Sequence, residues 1–410
     1  MTDGCKHQGW WSNPLLIMSA ALLARLAWAA LVPVAPVSDS VVYDAFARSI
    51  VAGRGYAFPD GTLTEYWPVG TSAAYALLYA LFGARAWVIP AFQALLGAAI
   101  VGLTWRLARH TFGRETATLA AWLTAAWPVL IEFTTILASE LLFLFLLLTA
   151  LNIWISRRPR FALRMILWGA SIAAATYVRP TALPLLLVFP LLQWLFDRNR
   201  RALISACALA GVTAALLFAP WSYRSLVHFD RFVLVAANGG VNLWMGNNPD
   251  STGGYMELPA VRFATEADRD QYYGRTALRF IYTHPVAYLR LAARRTLITY
   301  DRESIGVVWN ERGLRAVCGP ATAQNLKWLS SAYWWLLLIL GSTGVVLACR
   351  QRALAQLWPL LVALGYFALF PVLTVAMDRY HLPIDPLLAI FAAYAVLAAG
   401  RGPAKPPVIG

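Results

Sequence analysis

Apolar positions along this chain come in long unbroken runs, and each run ends at a cluster of charged, glycine or proline positions. A helix needs about 20 mostly apolar residues to cross a bilayer, and about ten runs meet or approach that length. They lie near 14–36, 86–108, 116–135, 141–156, 162–178, 180–196, 202–220, 329–348, 354–376 and 382–399. The pattern predicts an all-α polytopic membrane protein whose fourth to sixth spans are short or closely spaced. A further piece, "GTSAAYALLYALFG" at 70–83, is too short to cross. It is expected to lie against the bundle as an interfacial or re-entrant helix. The opening "MTDGCKHQGWWSNP" offers no small-residue cleavage site, which predicts a retained first span.

The connections divide into two sets. "RLARHTFGR" (106–114), "SRRPRFALR" (156–164), "DRNRR" (197–201), "CRQR" (349–352) and "RGPAK" (401–405) are short and basic. The acids and the length fall in 37–70, around Glu140, at Tyr177–Thr181, in 221–327 and in "MDRYHLP" (377–383). With ten spans the two sets alternate, and the positive-inside rule puts both termini and the basic turns in the cytoplasm. The expected units are an N-terminal membrane module (1–220) carrying the first outer loop (37–70), an extracytoplasmic block (221–327), and the last spans with a short tail (328–410). Within the block, "RFVLVAANGGVNLWMG" reads as strand with turns, followed by helical sequence bearing Arg279, Arg290, Arg294 and Arg295. A small mixed α/β domain is therefore expected, its basic helix near the membrane surface.

Composition agrees with a lipid environment: 60% of the 410 residues are hydrophobic and 13% charged, against about 25% charged in soluble domains. The net charge of +14 would suggest a nucleic-acid partner in a soluble protein; here topology accounts for it, and none is expected. The four cysteines form neither a metal spacing nor a disulfide framework.

Ionisable residues at the outer ends of spans are expensive to place there, so they are functional candidates. They are Asp39 and Asp44 after the first span, Glu140, Arg179, Arg224, and Asp378, Arg379 and His381 between the last two. Carboxylates beside several arginines suit a phosphate-bearing substrate: guanidinium forks bind phosphate oxygens, and a carboxylate serves as general base or metal ligand. Each also has a plain structural reading. Glu140 could merely favour a helix N-terminus, Arg179 could mark a proline turn, and Arg379 could snorkel to headgroups. In a helix from 38 to 50, Asp39 and Tyr43 share a face, while Asp44 points about 140° away. Only one of the two aspartates faces a given site.

These stretches resemble bacterial GT-C membrane glycosyltransferases of the protein O-mannosyltransferase and aminoarabinose-transferase type (glycosyltransferase family 39-like). "SDSVVYDAFARSIVAGRGYAF" is similar to the family's first-loop motif, and "EYWPVGTSAAYALLYALFG" to its "PPGYP…LFG" segment. "LASELLFLFLLL" resembles the second acidic motif and "ATYVRPTALPLL" the "RP" junction. "APWSYRSLVHFDRFVLVAANGGVNLWMGNNPDSTGGY" and "DRYHLPIDPLLAIFAAY" resemble two later stretches.

The resemblance implies a GT-C fold and an inverting transferase. Its donor is a polyprenyl-phosphate-linked sugar and its acceptor a hydroxyl of a protein, lipid or glycan, at the outer face of a bacterial plasma membrane. Asp39 matches the first-loop acid, the general base or support for a divalent metal ion, and Glu140 the second acid. Arg179, Arg224 and Arg379, with Tyr380 and His381, fall where the lipid phosphate would bind; Tyr43 and Trp67 would line the site. Ser40 replaces the usual second acid, "WPVG" replaces "PPG", and Ser225 replaces an asparagine. The competing reading is a transporter or flippase for a lipid-linked or anionic substrate; that would place charges near the bilayer midplane.

Overall fold

The computed structural model describes residues 10–400 apart from 157 and 159; the predicted tail and the first nine residues lie outside that range. Its helices follow the apolar runs. Asn13 caps α1 (Pro14–Leu31) by accepting the Leu15 N–H, with proline at the first helical position. The first inter-span loop carries α2 (Asp39–Val51) and α3 (Gly70–Phe82). A 25-residue span, α4 (Val88–Phe112), stops at Gly113, whose φ of 95° suits glycine alone. Next come α5 (Arg114–Ala125) and α6 (Pro128–Glu132), bent by 57° at a break before Pro128. Then follow α7 (Glu140–Ile155), α8 (Phe161–Val178), α9 (Leu185–Asp197) and α10 (Arg200–Phe229).

The long segment between α10 and α14 holds α11 (Gly239–Gly246), α12 (Glu266–Thr283) and α13 (Pro285–Tyr300). The chain finishes with α14 (Ile305–Gln351), α15 (Leu354–Leu373) and α16 (Asp385–Ala399). Gly319, at φ 79°, and Pro320 break α14 into a surface piece and a span.

The protein is a multi-pass membrane protein. Among the described residues, eight helices are long and apolar enough to cross a bilayer, and nine if the bent α5–α6 pair counts as one span. All ten predicted runs are helical; the tenth is α7, which at 16 residues is shorter than a full crossing and has ten of them buried. α16 is also enclosed, and α14 comes close to it through two glycines. A Cβ on Gly344 would stand 1.9 Å from the Phe391 carbonyl oxygen, and one on Gly341 2.8 Å from Leu388. α3 leaves Leu77, Leu81 and Phe82 exposed, as an interfacial helix would.

The mixed α/β domain is not found; among the described residues there is no strand, only an isolated bridge between Ala57 and Leu63. The alternation that predicted a strand is real: Val233, Val235 and Ala237 are buried and Phe232 is exposed. No second strand lies alongside. Val235 packs against Ala173, Ala214 and Phe218, and the Ala237 N–H is satisfied by the Glu65 carbonyl. "GGVNLWMG", expected as turn and strand, is helical. Gly240 there presses on α12, where a Cβ would meet the Asp270 carbonyl oxygen at 2.1 Å. Arg295 joins this block to the bundle, donating to Gly246 O, Asn247 Oδ1 and Val372 O at 2.6, 2.9 and 2.6 Å.

Candidate active site

Four of the predicted residues meet at one end of the bundle. Asp39 is the first residue of α2, where the helix N-terminus favours a carboxylate. Ser38 before it has φ 51°, a strained conformation for a side chain, costing about 1–3 kcal/mol. Glu140 opens α7, and Arg179 closes α8 as its C-cap. Arg379 lies in the turn between α15 and α16 and joins them. Its Nη2 donates to Asp39 Oδ2 at 2.6 Å and its Nη1 to Glu140 Oε1 at 3.0 Å. Arg179 Nη2 reaches the same Glu140 oxygen at 2.5 Å, and its Nε donates to Ser139 Oγ at 3.0 Å. Two carboxylates and two guanidiniums thus form a charge-balanced chain running from α2 to α8.

The aromatic surroundings hold the chain in place. The Arg379 guanidinium lies 4.5 Å from the Trp309 ring centroid, and the Tyr380 ring faces both arginines at 5.7 and 5.9 Å. Burial works against the Arg379 charge, and the Glu140 and Asp39 carboxylates more than reverse it, so its pKa is raised. Tyr43, one turn along from Asp39, is buried, and that burial together with the Asp39 charge raises its phenol. The two acids differ in access: the Glu140 side chain is 2% exposed and the Asp39 side chain 29%. Asp39 is the carboxylate that an incoming molecule can reach.

Asp44 faces elsewhere, as the helical spacing required. It accepts from Tyr79 Oη at 2.5 Å and Arg48 Nε at 2.8 Å, tying α2 to α3. Arg224 is not brought to the chain. It donates to the carbonyls of Tyr56 and Thr64 at 3.0 and 3.2 Å and lies over the Trp221 ring, fastening the first loop to α10. Trp67 packs among Phe46, Phe58 and Tyr66.

His381 turns into the interior, stacked on Trp334 at 3.9 Å with Nδ1 3.1 Å from Asp385 Oδ1 and 3.9 Å from Glu303 Oε1. Burial lowers its imidazole to about 4, so it is neutral. The sequence reading passed over Glu65, Glu303 and Asp385. Glu65 is fully buried, accepts from Ser225 Oγ at 2.5 Å and is pushed up by burial. Its one sequence signal was adjacency to the "YWPVG" stretch.

Beside Glu140 and Arg179 an apolar groove of about 500 Å³ runs between α3, α7, α8 and α10, lined by Val69, Ala73, Leu142, Leu146, Val178 and Trp221. A larger cavity of about 780 Å³ sits at the opposite ends of α7 and α8, among Trp154, Arg164, Trp194 and Trp358. It is remote from the charged chain.

Residues 67–223 match the family described as dolichyl-phosphate-mannose-protein mannosyltransferase. The chain superposes on ArnT from Cupriavidus metallidurans bound to undecaprenyl phosphate, with a TM-score of 0.55 at 15% identity. This chain has a GT-C fold. The likeness covers 93% of it and 59% of ArnT. The oligosaccharyltransferase AglB from Archaeoglobus fulgidus, another GT-C glycosyltransferase, aligns in its apo form with a TM-score of 0.59 at 14% identity, over 97% of this chain and 51% of AglB. An AglB complex with an inhibitory peptide and dolichol-phosphate aligns at 0.53. The chain therefore spans about half to three fifths of these GT-C relatives. Among curated proteins, none matches it in sequence. The family resemblance drawn from the motifs is borne out.

Proposed function

We propose that the chain transfers a sugar from a polyprenyl-phosphate donor to an acceptor hydroxyl, with inversion, and that Asp39 is the general base. The observation that carries this is the chain Asp39–Arg379–Glu140–Arg179 at the end of an apolar groove. The groove suits an isoprenoid tail, and Arg179, next to Val178 in its wall, suits the phosphate at the head. That two GT-C neighbours were solved with undecaprenyl phosphate and dolichol-phosphate supports the donor class.

The acceptor oxygen forms its bond to the anomeric carbon while the bond from that carbon to the phosphate oxygen breaks. The phosphate leaves with the bonding pair, and Arg179 and Arg379 stabilise its growing charge. The acceptor proton passes to the more exposed carboxylate, Asp39. Glu140 holds both guanidiniums in register. A divalent cation does not fit between Asp39 and Glu140, because the Arg379 guanidinium already bridges the two carboxylates. The basic turns lie at the opposite end of the bundle, so the positive-inside rule supports an extracytoplasmic site in a plasma membrane.

The test is to incubate membranes containing the protein with radiolabelled polyprenyl-phosphate sugars and follow label leaving the lipid. Consumption of at least one donor, with label moving to a protein, lipid or glycan, is expected. No consumption of any hexose or pentose donor would sink the reading.

A further inference from the structure

Two residues beyond Arg379, a second cluster has no task in the transfer chemistry. Glu303 stands just before α14; His381 and Asp385 bracket the short turn Leu382–Ile384 that leads into α16. All three are fully buried. One nitrogen or oxygen from each lies within 4.8 Å of the others, and the closest pair is His381 Nδ1 with Asp385 Oδ1 at 3.1 Å. Asp385 Oδ2 has no hydrogen-bond partner. Among the described residues, no lysine or arginine comes within ion-pair distance of Glu303 or Asp385. Trp127 Nε1 donates to both Glu303 oxygens, at 3.1 and 3.0 Å, and so fixes that carboxylate.

Two carboxylates in a dry interior need a compensating positive charge, and no lysine or arginine among the described residues pairs with them. The spacing suits a shared cation. Nitrogen and oxygen ligands at about 2.0–2.2 Å from a tetrahedral ion stand roughly 3.2–3.6 Å apart, between the 3.1 and 3.9 Å that separate His381 Nδ1 from the two carboxylates.

We propose that Glu303, His381 and Asp385 hold one divalent transition-metal ion, Zn²⁺ or Mn²⁺, which pins the Arg379-bearing turn to the head of α14. The mixed nitrogen and oxygen donors favour such an ion over Ca²⁺ or Mg²⁺, which prefer oxygen alone. Trp127 plays the outer part, holding a ligand in orientation. The ion meets neither Asp39 nor Glu140; it acts on the site through Arg379, as a positioning element. With every ligand buried, it enters as the chain folds and leaves slowly. The inference does not depend on the sugar-transfer reading.

The experiment measures metal in the full chain, purified in detergent through a histidine-free tag, by mass spectrometry. Wild type is expected to retain about one ion per chain after gel filtration, as a single three-ligand site requires, with an X-ray absorption edge showing nitrogen and oxygen neighbours. Glu303→Gln and His381→Gln should each lose it, while Asp39→Asn keeps it. Protein grown in zinc- and manganese-depleted medium should melt at a lower temperature than protein grown with either metal. Folded, monodisperse wild type that carries neither ion, whatever the growth medium, would overturn the proposal in favour of carboxylates sharing protons. An ion lost from Asp39→Asn but kept by the cluster variants would also overturn it. Should the cluster variants fail to fold, wild-type metal content and the absorption spectrum still decide.

Discussion

Arg379 and Asp39 lie 340 positions apart in sequence and 2.6 Å apart in space, and their pairing closes one end of the bundle over Glu140. The contact joins the last inter-span turn to the first loop. Arg379 also pairs with the buried Glu140, and removing one partner of a buried ion pair typically costs about 3–5 kcal/mol. Arg379→Ala is expected to lower the melting temperature and abolish transfer. Arg379→Lys restores the charge without the fork that spans two carboxylates. It should recover most of the stability and little of the rate, as read by thermal melting and donor consumption.

The two first-loop aspartates should separate cleanly. Asp44 accepts from Tyr79 and Arg48 and has no contact with the arginine chain. Asp44→Asn is expected to lower stability by about 1 kcal/mol, the worth of a charge-assisted bond partly exposed to solvent, and to leave transfer within about threefold of wild type. A large loss of rate with stability unchanged would reverse the assignment of the two acids.

Gly344 tests the packing of the enclosed helix. The atom facing it is a backbone oxygen of α16, which cannot swing aside as a side chain could. Gly344→Ala should push α14 and α16 apart at a cost of about 1–3 kcal/mol, seen as a lower melting temperature. Gly365→Ala, where nothing lies within 4 Å of an added Cβ, is the control and should be neutral or stabilising.

Arg295 tests how the α11–α13 block is held. Its guanidinium satisfies oxygens on Gly246, Asn247 and Val372 from a fully buried position. Arg295→Leu leaves those acceptors without their donor. Faster hydrogen exchange is expected across α11 and its attachment to α15, with the spans α4 and α16 unchanged. Uniform exchange changes throughout the chain would contradict a local role.

The spans were legible because lipid admits only backbone that satisfies itself within a helix, and that demand writes long apolar runs. The split between Asp39 and Asp44 was legible because it depends only on helical period. The strand over 231–237 was misread for the opposite reason: alternation reports which side is buried, whereas a strand also needs a neighbour, and sequence does not show one. Arg224 sits at the correct end of its helix, but its facing sends it to loop carbonyls. Glu65 sits in the first loop, Glu303 in the 221–327 block and Asp385 within the tenth apolar run, and only tertiary packing buries them. Arg25 was absorbed into the first apolar run. It proves to be fully buried, donating to the Ala21 carbonyl at 3.0 Å and the Ala125 carbonyl, at the end of α5, at 3.4 Å.

In the proposed mechanism Asp39 takes the acceptor proton at the open end of the arginine chain. Asn at this position keeps the size and a hydrogen-bonding oxygen for Arg379 and loses the basicity. The deciding measurement is the initial rate of sugar transfer from polyprenyl-phosphate donor by purified Asp39→Asn and wild type, matched for folded protein. A fall of about 10²–10⁴-fold, the usual worth of a positioned general base, with donor lipid still bound, is the predicted result. Transfer by Asp39→Asn at the wild-type rate would contradict it.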